Sequence, residues 1–265
     1  MSTSVEIHKK LSVIIVTYNN EKHIASCIST LKDSLQSLDM RNEIIIVDNS
    51  SSDNTTKIIR KGRGIQLLIS KKNLGFAKGV NLGIKRAKGN LFLILNPDTK
   101  LHEDSIPKLV QCLESSCSGI VGGLSYKRDG SLHGSFVRKP TLATILFDYS
   151  NLRKITPGDI FHKRHYYKDL GPLKDTTEVD AVSGAYMLID RKVIDNIGTL
   201  DENFFMYLED IDFCIRASKQ GFKVMVCPES KIVHVGGASS KNKDRINHYA
   251  WDQSRRYYAK KHFGR

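Results

Sequence analysis

The chain has 265 residues, of which 40% are hydrophobic and 26% charged, a composition typical of a soluble globular protein with a sizeable core. No apolar run reaches the roughly 18–20 residues of a membrane span, and the first ten residues lack the apolar segment of a signal peptide. The five cysteines form no Cys-x-x-Cys pair, so we expect neither a disulfide framework nor a zinc site, and we expect a reducing, cytoplasmic environment.

The formal net charge of +13 is concentrated in two segments. Residues 127–175 hold ten Lys and Arg against five Asp, a balance of +5, and residues 241–265 hold eight against two, a balance of +6. Such segments attract polyanions, which include nucleic acid, anionic lipid and phosphate-bearing substrates. A solvated surface without a partner is the alternative explanation.

Strands and helices alternate through the first hundred residues. The apolar runs that predict strands are residues 13–16, 44–47, 65–69 and 91–95. These runs are nearly continuous, as in strands buried on both faces of a parallel sheet. Helical stripes lie between them at 24–38 and 76–87. The pattern predicts an α/β fold with a mostly parallel, Rossmann-like central sheet flanked by helices.

The pattern is weaker in the second half of the chain. The expected elements are loops and short elements at 120–175, a strand at 179–189, helices at 191–197 and 208–220, and strands at 222–226 and 231–235. Gly221 is expected to end the second of these helices. The last twenty-five residues predict a basic helix that carries several aromatic residues.

Small polar residues follow three of the first four strands. Thr17–Asn20 follow the first, Asp48–Asp53 the second and Asn96–Thr99 the fourth. Ligands of open α/β sheets bind at the carboxyl ends of the strands, so these groups are expected to converge on one cleft. Each group could instead cap the following helix. Both roles are compatible, because helix N-termini are good phosphate sites.

Three carboxylates, Glu209, Asp210 and Asp212, directly follow the large apolar residues of Phe204–Leu208. Acids rarely lie against such a run unless something pairs with them or uses them. If the run lines a pocket, a carboxylate there can accept a proton from a bound hydroxyl. Alternatively, the three acids cap the helix that follows, whose N-terminal dipole favours negative charge. For Asp212 we expect helix capping or a salt bridge.

Several familiar nucleotide and hydrolase motifs are missing from the sequence. It contains no Walker-type phosphate loop, no strand-linked Gly-x-Gly-x-x-Gly and no Gly-x-Ser-x-Gly elbow. Instead, the glycines and asparagines of Asn73–Gly83 open a helix just beyond the third strand. They could bring backbone N–H groups close to a phosphate or a sugar.

Taken in order, these segments resemble the inverting glycosyltransferases of family 2, which have the GT-A fold, and most of all the rhamnosyltransferase branch. The segments are Val16–Asn19, Val47–Ser51, Asn73–Gly83, Asn96–Asp98, Val182–Ala185, Leu200–Phe205, Glu209–Asp212 and His234. The resemblance covers about residues 11–239. It implies a GT-A domain at 1–237, with a nucleotide-sugar half at about 11–118 and an acceptor half at about 119–237, followed by a basic aromatic helical tail at 238–265.

The resemblance also implies roles for individual residues. Asp210 would be the general base, and Glu209 would support it or touch the acceptor. Asp98 would hold a divalent metal, Mg²⁺ or Mn²⁺, against the diphosphate, and His234 would be a further contact to the metal or to the diphosphate. The residues expected to bind the donor are Thr17, Tyr18, Asn19, Asp48, Asn49, Ser50, Asn73, Gly75, Phe76, Asn81 and Asn96. Asn96 stands where the family has the first acid of its Asp-x-Asp motif, and a neutral amide there weakens the expected metal site.

The implied partners are a nucleotide-diphosphate sugar and a saccharide acceptor, such as one linked to a polyprenyl diphosphate. The first donor expected is dTDP-rhamnose, for cell-surface polysaccharide or O-antigen synthesis, with UDP-hexoses or UDP-galactofuranose as alternatives. We expect a cytoplasmic protein, peripheral on the inner face of an anionic membrane, with no nucleic-acid partner. Two other classes remain: a basic nucleic-acid or membrane binding module with an idle cleft, and a nucleotidyltransferase, which would release pyrophosphate.

Overall fold

The computed structural model describes residues 10–148, 165–167, 172–235 and 241–264. Parts of the predicted loop region at 120–175 and the start of the predicted tail lie outside the described residues. The strands are β1 (Lys10–Thr17), β2 (Arg41–Asp48), β3 (Ile65–Ile69), β4 (Leu91–Leu95), β5 (Thr99–Leu101), β6 (Ile120–Tyr126), β7 (Phe136–Val137), β8 (Thr177–Glu178), β9 (Ala181–Val182), β10 (Tyr186–Asp190) and β11 (Val224–His234). The helices are α1 (Ile24–Gln36), α2 (Thr55–Arg60), α3 (Phe76–Arg86), α4 (Ser105–Ser115), α5 (Arg191–Ile197), α6 (Glu209–Lys219) and α7 (Lys241–Phe263), with a π-helical turn at Thr144–Asp148.

The central sheet has the strand order β3-β2-β1-β4-β10-β6-β11-β5, and β8 pairs with β11. Strands β1, β2, β3, β4, β6 and β11 share one direction, whereas β5, β8 and β10 run the opposite way. The described strands therefore confirm the predicted α/β class with a mostly parallel sheet.

Helices cover both faces of this sheet, which explains the nearly continuous apolar runs of its strands. Successive residues of β1 point to opposite faces. Val13 and Ile15 are buried in the cluster that contains Leu31 of α1, whereas Ile14 is buried in the cluster that contains Val80 of α3. Each central strand therefore needs apolar side chains at even and odd positions alike.

One central strand lies in the region that was predicted to hold loops and short elements. Strand β6 is buried, and it pairs with β10 on one side and β11 on the other. Its adjacent glycines, Gly122 and Gly123, interrupt the apolar pattern that would have identified it. Larger residues would not fit at these positions. A Cβ atom at Gly122 would lie 2.6 Å from Val182, and one at Gly123 would lie 2.5 Å from the ring of Tyr186.

Two further predictions of strands were wrong in detail. The strand expected at 179–189 is divided into β9 and β10, because the backbone turns at 183–185. The two strands expected at 222–226 and 231–235 form the single strand β11, whose register shifts between Cys227 and Lys231. A bulge of this kind gives a strand an irregular pattern that imitates two strands.

The helix predictions agree with the structure. The predicted helices at 191–197 and 208–220 correspond to α5 and α6, and α7 forms most of the predicted tail. Gly221 follows α6 with φ of 82°, as expected for the stop of a helix. A search of the described residues finds no helix with the length and apolar character needed to cross a membrane.

Candidate active site

A cleft of about 610 Å³ opens at the carboxyl ends of the parallel strands. Thr17 ends β1, Asn96 follows β4 and His234 ends β11, and all three line this cleft. The opposite side comes from the start of α3 and from the loop that precedes α6. The polar groups at the strand ends therefore converge on one space, as the sequence predicted.

Most of the residues singled out in the sequence lie at this cleft. Those lining it are Thr17, Tyr18, Asn49, Asn73, Gly75, Phe76, Asn96, Asp98, Glu209, Asp210 and His234. Asn19, Asp48, Ser50 and Asn81 are not among the described lining residues. Whether any of these residues binds a donor stays a prediction.

Three buried oxygens lie where β1 and β2 end, and two of them belong to Thr17 and Asn49, which line the cleft. Thr17 and Asp48 face each other in the parallel register of these strands, and Asn49 follows immediately. Among the described side chains, Thr17 Oγ1, Asp48 Oδ1 and Asn49 Oδ1 are buried without a hydrogen-bond partner in the protein. Unpaired buried polar atoms are costly, so this end is suited to a ligand that donates hydrogen bonds.

Other predicted donor residues support the loops around the cleft. The backbone N–H of Asn19 donates to Ser51 Oγ over 2.9 Å, which joins the loops after β1 and β2. Ser50 has a left-handed backbone with φ of 67° in the same region. Asn81 donates to the carbonyl of Leu200 over 2.9 Å and accepts from its N–H over 3.1 Å. Asn81 therefore connects α3 to the segment that leads towards Glu209 and Asp210.

We call the group formed by Asn96, Asp98 and His234 the diphosphate end of the cleft, after the ligand that the sequence predicts there. Asp98 Oδ1 lies 2.9 Å from His234 Nε2, and Asn96 Nδ2 lies 3.5 Å from the same nitrogen. Burial opposes ionisation of Asp98, but the hydrogen bond and the charge of His234 outweigh it and lower the pKa of Asp98. The ring of His133 lies 5.0 Å from that of His234 and also lines the cleft.

These residues offer few ligands to a divalent metal. Within the described part of the chain, no group of three His, Cys, Asp or Glu side chains could hold an ion. Asp98 and His234 remain as two adjacent donors, one a carboxylate whose pKa is lowered and the other an imidazole. Mg²⁺ and Mn²⁺ keep several waters and often take their other ligands from phosphate, so two protein donors fit such an ion.

The carboxylate end of the cleft begins with a strained turn. Tyr207 and Leu208 have φ of 76° and 68°, a left-handed conformation that side chains rarely adopt. Helix α6 starts directly afterwards with Glu209 and Asp210. The N–H groups of Gly184 and Ile211 donate to the two oxygens of Asp210, each over 2.8 Å. The carboxylate is therefore held in a fixed orientation at the cleft.

The two acids have different environments. Burial raises the pKa of Glu209 well above its usual value, and the negative charge of Asp210 raises it further. Burial also raises the pKa of Asp210, but the backbone N–H groups that it accepts from oppose this effect. Glu209 Oε2 is buried with no partner among the described residues. Glu209 consequently holds a proton more firmly than Asp210, which is the better placed of the two to be ionised.

Gly75 allows this turn to lie against the start of α3. The N–H of Phe76 donates to the carbonyl of Phe205 over 2.7 Å. A Cβ atom at Gly75 would collide with that carbonyl and with the Phe205 ring, and Gly75 has φ of 82°. A side chain at this position would therefore push the segment that carries Asp210 away from the cleft.

Helix α7 covers the outer side of the same turn. Ser254 Oγ donates to the carbonyl of Met206 over 2.8 Å, and the Trp251 and Tyr207 rings lie 5.6 Å apart. Asn247 and Trp251 line the cleft, and so does His133. None of these three residues was predicted from sequence to lie at the cleft. The aromatic and basic composition of the tail indicated a helix, but it did not show which side of that helix meets the cleft.

Asp212 is a structural residue. It is fully buried and pairs with Arg216 Nε at 2.9 Å, Lys261 Nζ at 2.8 Å and His262 Nε2 at 2.9 Å. This confirms the expected salt bridge and assigns Asp212 to the joint between α6 and α7.

Comparison with known proteins links this geometry to sugar transfer. The profile of the family described as "Glycosyl transferase family 2" matches residues 12–198. The chain is 30% identical over 228 residues to the low-salt glycan biosynthesis hexosyltransferase Agl10 of Haloferax volcanii, a match that covers 84% of the chain and 66% of that protein. It is 25% identical to the N-acetylglucosaminyl-diphospho-decaprenol L-rhamnosyltransferase of Mycobacterium tuberculosis, over 91% of the chain and 80% of that protein.

Solved structures of glycosyltransferases share the fold. The mannosyltransferase PcManGT of Pyrobaculum calidifontis, in complex with GDP-Man and Mn²⁺, aligns with a TM-score of 0.59 at 16% identity, over 92% of the chain and 61% of that protein. Residues 1–349 of S. aureus TarS in complex with UDP-GlcNAc align with a TM-score of 0.58 at 18% identity, over 87% of the chain and 60% of the TarS chain. These similarities confirm the expected GT-A fold.

Proposed function

The chain belongs to glycosyl transferase family 2, and from that premise we propose that it transfers a sugar from a nucleotide-diphosphate donor to a hydroxyl of a saccharide acceptor, with inversion at the anomeric carbon. The observation that carries this proposal is the position of Asp210. Its carboxylate is held by two backbone N–H groups in the cleft that also contains the Asp98–His234 pair.

The nucleotide binds at the ends of β1 and β2. The unpaired oxygens of Thr17, Asp48 and Asn49 support this placement, because a base and a ribose supply N–H and O–H donors. Asp48 accepts from the base, while its other oxygen already accepts from the N–H of Ser51 over 2.9 Å. That second bond fixes the direction of the free oxygen.

Asp98 and His234 would hold a divalent cation, Mg²⁺ or Mn²⁺. When bound, such a cation would neutralise the charge that develops on the departing diphosphate oxygens. Asp98 suits this role because its lowered pKa keeps the carboxylate ionised over a wide pH range. Asn96 contributes a neutral amide next to the pair, so the protein itself supplies little negative charge.

Asp210 is the general base for the acceptor. The hydroxyl oxygen forms a bond to the anomeric carbon from the face opposite the leaving group, and the bond from that carbon to the diphosphate oxygen breaks. The hydroxyl proton passes to Asp210, whose raised pKa makes it a better acceptor than an exposed aspartate. The amides of Gly184 and Ile211 keep the carboxylate oriented, and the raised pKa of Glu209 favours its protonated form beside it.

For the donor we propose dTDP-rhamnose, with UDP-hexoses or UDP-galactofuranose as alternatives. The names of three relatives support this choice: the Mycobacterium rhamnosyltransferase, the dTDP-rhamnosyl transferase RfbF of Shigella flexneri and the rhamnosyltransferase WbbL of Escherichia coli. The first of these names also supports a saccharide linked to a polyprenyl diphosphate as the acceptor. The reaction would take place in the cytoplasm, in the synthesis of a cell-surface polysaccharide such as O-antigen.

The acceptor would be reached from the inner face of an anionic membrane. The positive balances of residues 127–175 and 241–265 support such a contact. Liposome flotation tests it: the protein should float with anionic vesicles and remain behind with neutral ones. Equal binding to both would contradict an electrostatic contact.

A thermal-shift panel followed by a product assay tests the proposed activity. Purified protein is heated with dTDP-rhamnose, UDP-glucose, UDP-galactofuranose or the free nucleotides, with and without Mn²⁺. A donor that binds the folded state raises the melting temperature, and we expect dTDP-rhamnose with Mn²⁺ to raise it most. Transfer then releases dTDP. Release of pyrophosphate would instead identify a nucleotidyltransferase, and no stabilisation by any nucleotide sugar would contradict the proposal.

A further inference from the structure

Helix α7 forms a wall of the cleft beside the carboxylate end. Trp251 and Asn247 line the same space as Tyr207 and Asp210. Both α7 residues lie beyond residue 198, where the match to the family profile ends. This wall therefore adds to the cleft a surface that the matched part of the chain does not supply.

Several contacts fix the position of this wall. Besides the hydrogen bond from Ser254 to the turn, the rings of Tyr257 and Phe204 lie 4.8 Å apart. One turn further along the helix, Lys261 and His262 pair with the buried Asp212 of α6. Trp251 is thus presented from a helix that is anchored at several points, as a rigid binding surface requires.

Trp251 and Tyr207 meet edge to face, with an angle of 75° between their planes. In such a pair the edge of one ring meets the face of the other, so the two ring planes form an aromatic corner. The C–H-rich face of a sugar ring packs well on an aromatic face, while its hydroxyls need polar partners at the rim. Here the amide of Asn247 and the carboxylates of Glu209 and Asp210 line the same cleft.

We propose that Trp251, Tyr207 and Asn247 form the subsite that binds the sugar ring of the acceptor and presents its hydroxyl to Asp210. This inference rests on the proposed function and names the part of the cleft that selects the acceptor. The donor occupies the other side, at the strand ends. Changes at Trp251 therefore alter acceptor binding and leave donor binding in place.

The protein provides its own reporter, because Trp251 is the single tryptophan of the chain. The probe is octyl β-N-acetylglucosaminide, a soluble mimic of an acceptor sugar, titrated in the presence of dTDP and Mn²⁺. We expect a saturable change in tryptophan emission. Octanol and octyl sulfate serve as controls for the alkyl chain, and an equal change with either would overturn the inference.

Kinetics of variants provide the second readout. Trp251→Leu should raise the KM for the probe about tenfold, as expected when stacking on an aromatic face is lost, while Trp251→Phe should retain most of the affinity. Asn247→Ala should also raise this KM. The matched control is Tyr249→Leu on the same helix, because Tyr249 is 69% exposed and is not among the described residues that line the cleft.

Two further measurements on every variant separate the inference about α7 from the proposed function. They are the thermal stabilisation by dTDP-rhamnose and the rate at which this donor is hydrolysed. Suppose that the donor stabilises each variant and that each variant hydrolyses it. If the KM for the probe is then the same in wild type, Trp251→Leu and Asn247→Ala, the inference about α7 fails and the proposed function stands. If the donor neither stabilises nor reacts with the wild type, the proposed function fails. A change in emission with the probe would then still locate a sugar site at α7.

Discussion

The two ends of the cleft reach their geometry by different routes. At the diphosphate end, Asp98 comes three residues after β4, and His234 is the last residue of β11. The N–H of the next residue, Val235, donates to the carbonyl of Asp98 over 2.8 Å, and His234 pairs with Thr99 of β5. Sheet pairing thus sets the spacing of that pair. At the carboxylate end, Asp210 follows a turn with two left-handed residues that Gly75 and α7 hold from either side. The diphosphate end depends on the sheet, and the carboxylate end depends on the packing of distant segments.

The largest expected effect tests the carboxylate end. Asp210→Asn should lower kcat for transfer by about 10²–10⁴-fold, because an amide cannot accept the hydroxyl proton. Donor binding, measured by thermal shift, should be unchanged. The matched control is Asp195→Asn, an exposed aspartate on α5, which should keep wild-type activity. Undiminished transfer by Asp210→Asn would remove our assignment of the base.

The next effect tests the diphosphate end. Chelation of divalent cations should abolish most transfer, and Mn²⁺ or Mg²⁺ should restore it. Asp98→Asn should raise the Mn²⁺ concentration needed for half-maximal rate by roughly 10–100-fold, since one charged ligand is lost. Asp104→Asn, at an exposed ion pair with Lys108, is the control. Full activity in a chelator would mean that the diphosphate is neutralised by protein cations alone.

A glycine exchange separates the packing of the carboxylate end from simple backbone strain. Gly75→Ala should lower the free energy of unfolding by about 1–3 kcal/mol and should also lower kcat, because the new methyl group displaces the turn before Asp210. Gly64 has a similar left-handed φ of +74°, but a Cβ atom added there would have no atom within 4 Å. Gly64→Ala should therefore lower the free energy of unfolding without lowering kcat. Equal kcat in both variants would contradict the coupling between Gly75 and Asp210.

The smallest effect concerns Glu209 and appears as a change of stability with pH. A buried carboxyl whose pKa is raised in the folded state stabilises the fold fully at low pH. That contribution is lost as pH rises from the ordinary glutamate value of 4.5 through the raised value. Glu209→Gln removes the titration, so the melting temperature of the variant, relative to that of the wild type, should rise as the pH increases above about 5. A constant difference over this range would show that Glu209 is ionised in the fold.

The contrast between sheet pairing and the packing of distant segments also explains which parts of the fold were predictable from sequence. Strands β1, β2 and β4 are buried on both faces, so their apolar runs were visible, and polar residues at their ends marked the cleft. Strand β6 was missed because Gly122 and Gly123 replace apolar residues where Val182 and Tyr186 pack closely. Local pattern thus predicts a strand only when its own side chains fill the core.

For the site, local sequence identified residues but not their surroundings. The resemblance to the family implied a donor-binding role for Asn81, which stays a prediction, and it did not show that the Asn81 amide bonds to Leu200, 119 positions away. Trp251 and His133 carry no local motif, and they reach the cleft through contacts with Tyr207 and His234. Such contacts depend on how α7 and the segment after β6 pack, which no short pattern encodes.

The burial of Asp212 has a consequence for the order in which the chain matures during synthesis. Its partner Arg216 emerges from the ribosome almost at once, but His262 is translated 50 positions later. A nascent chain that has reached α6 therefore carries a carboxylate whose full set of cations does not yet exist, and burying it early is unfavourable. The buried ion cluster that joins α6 to the wall is thus completed only after Lys261 and His262 have been translated.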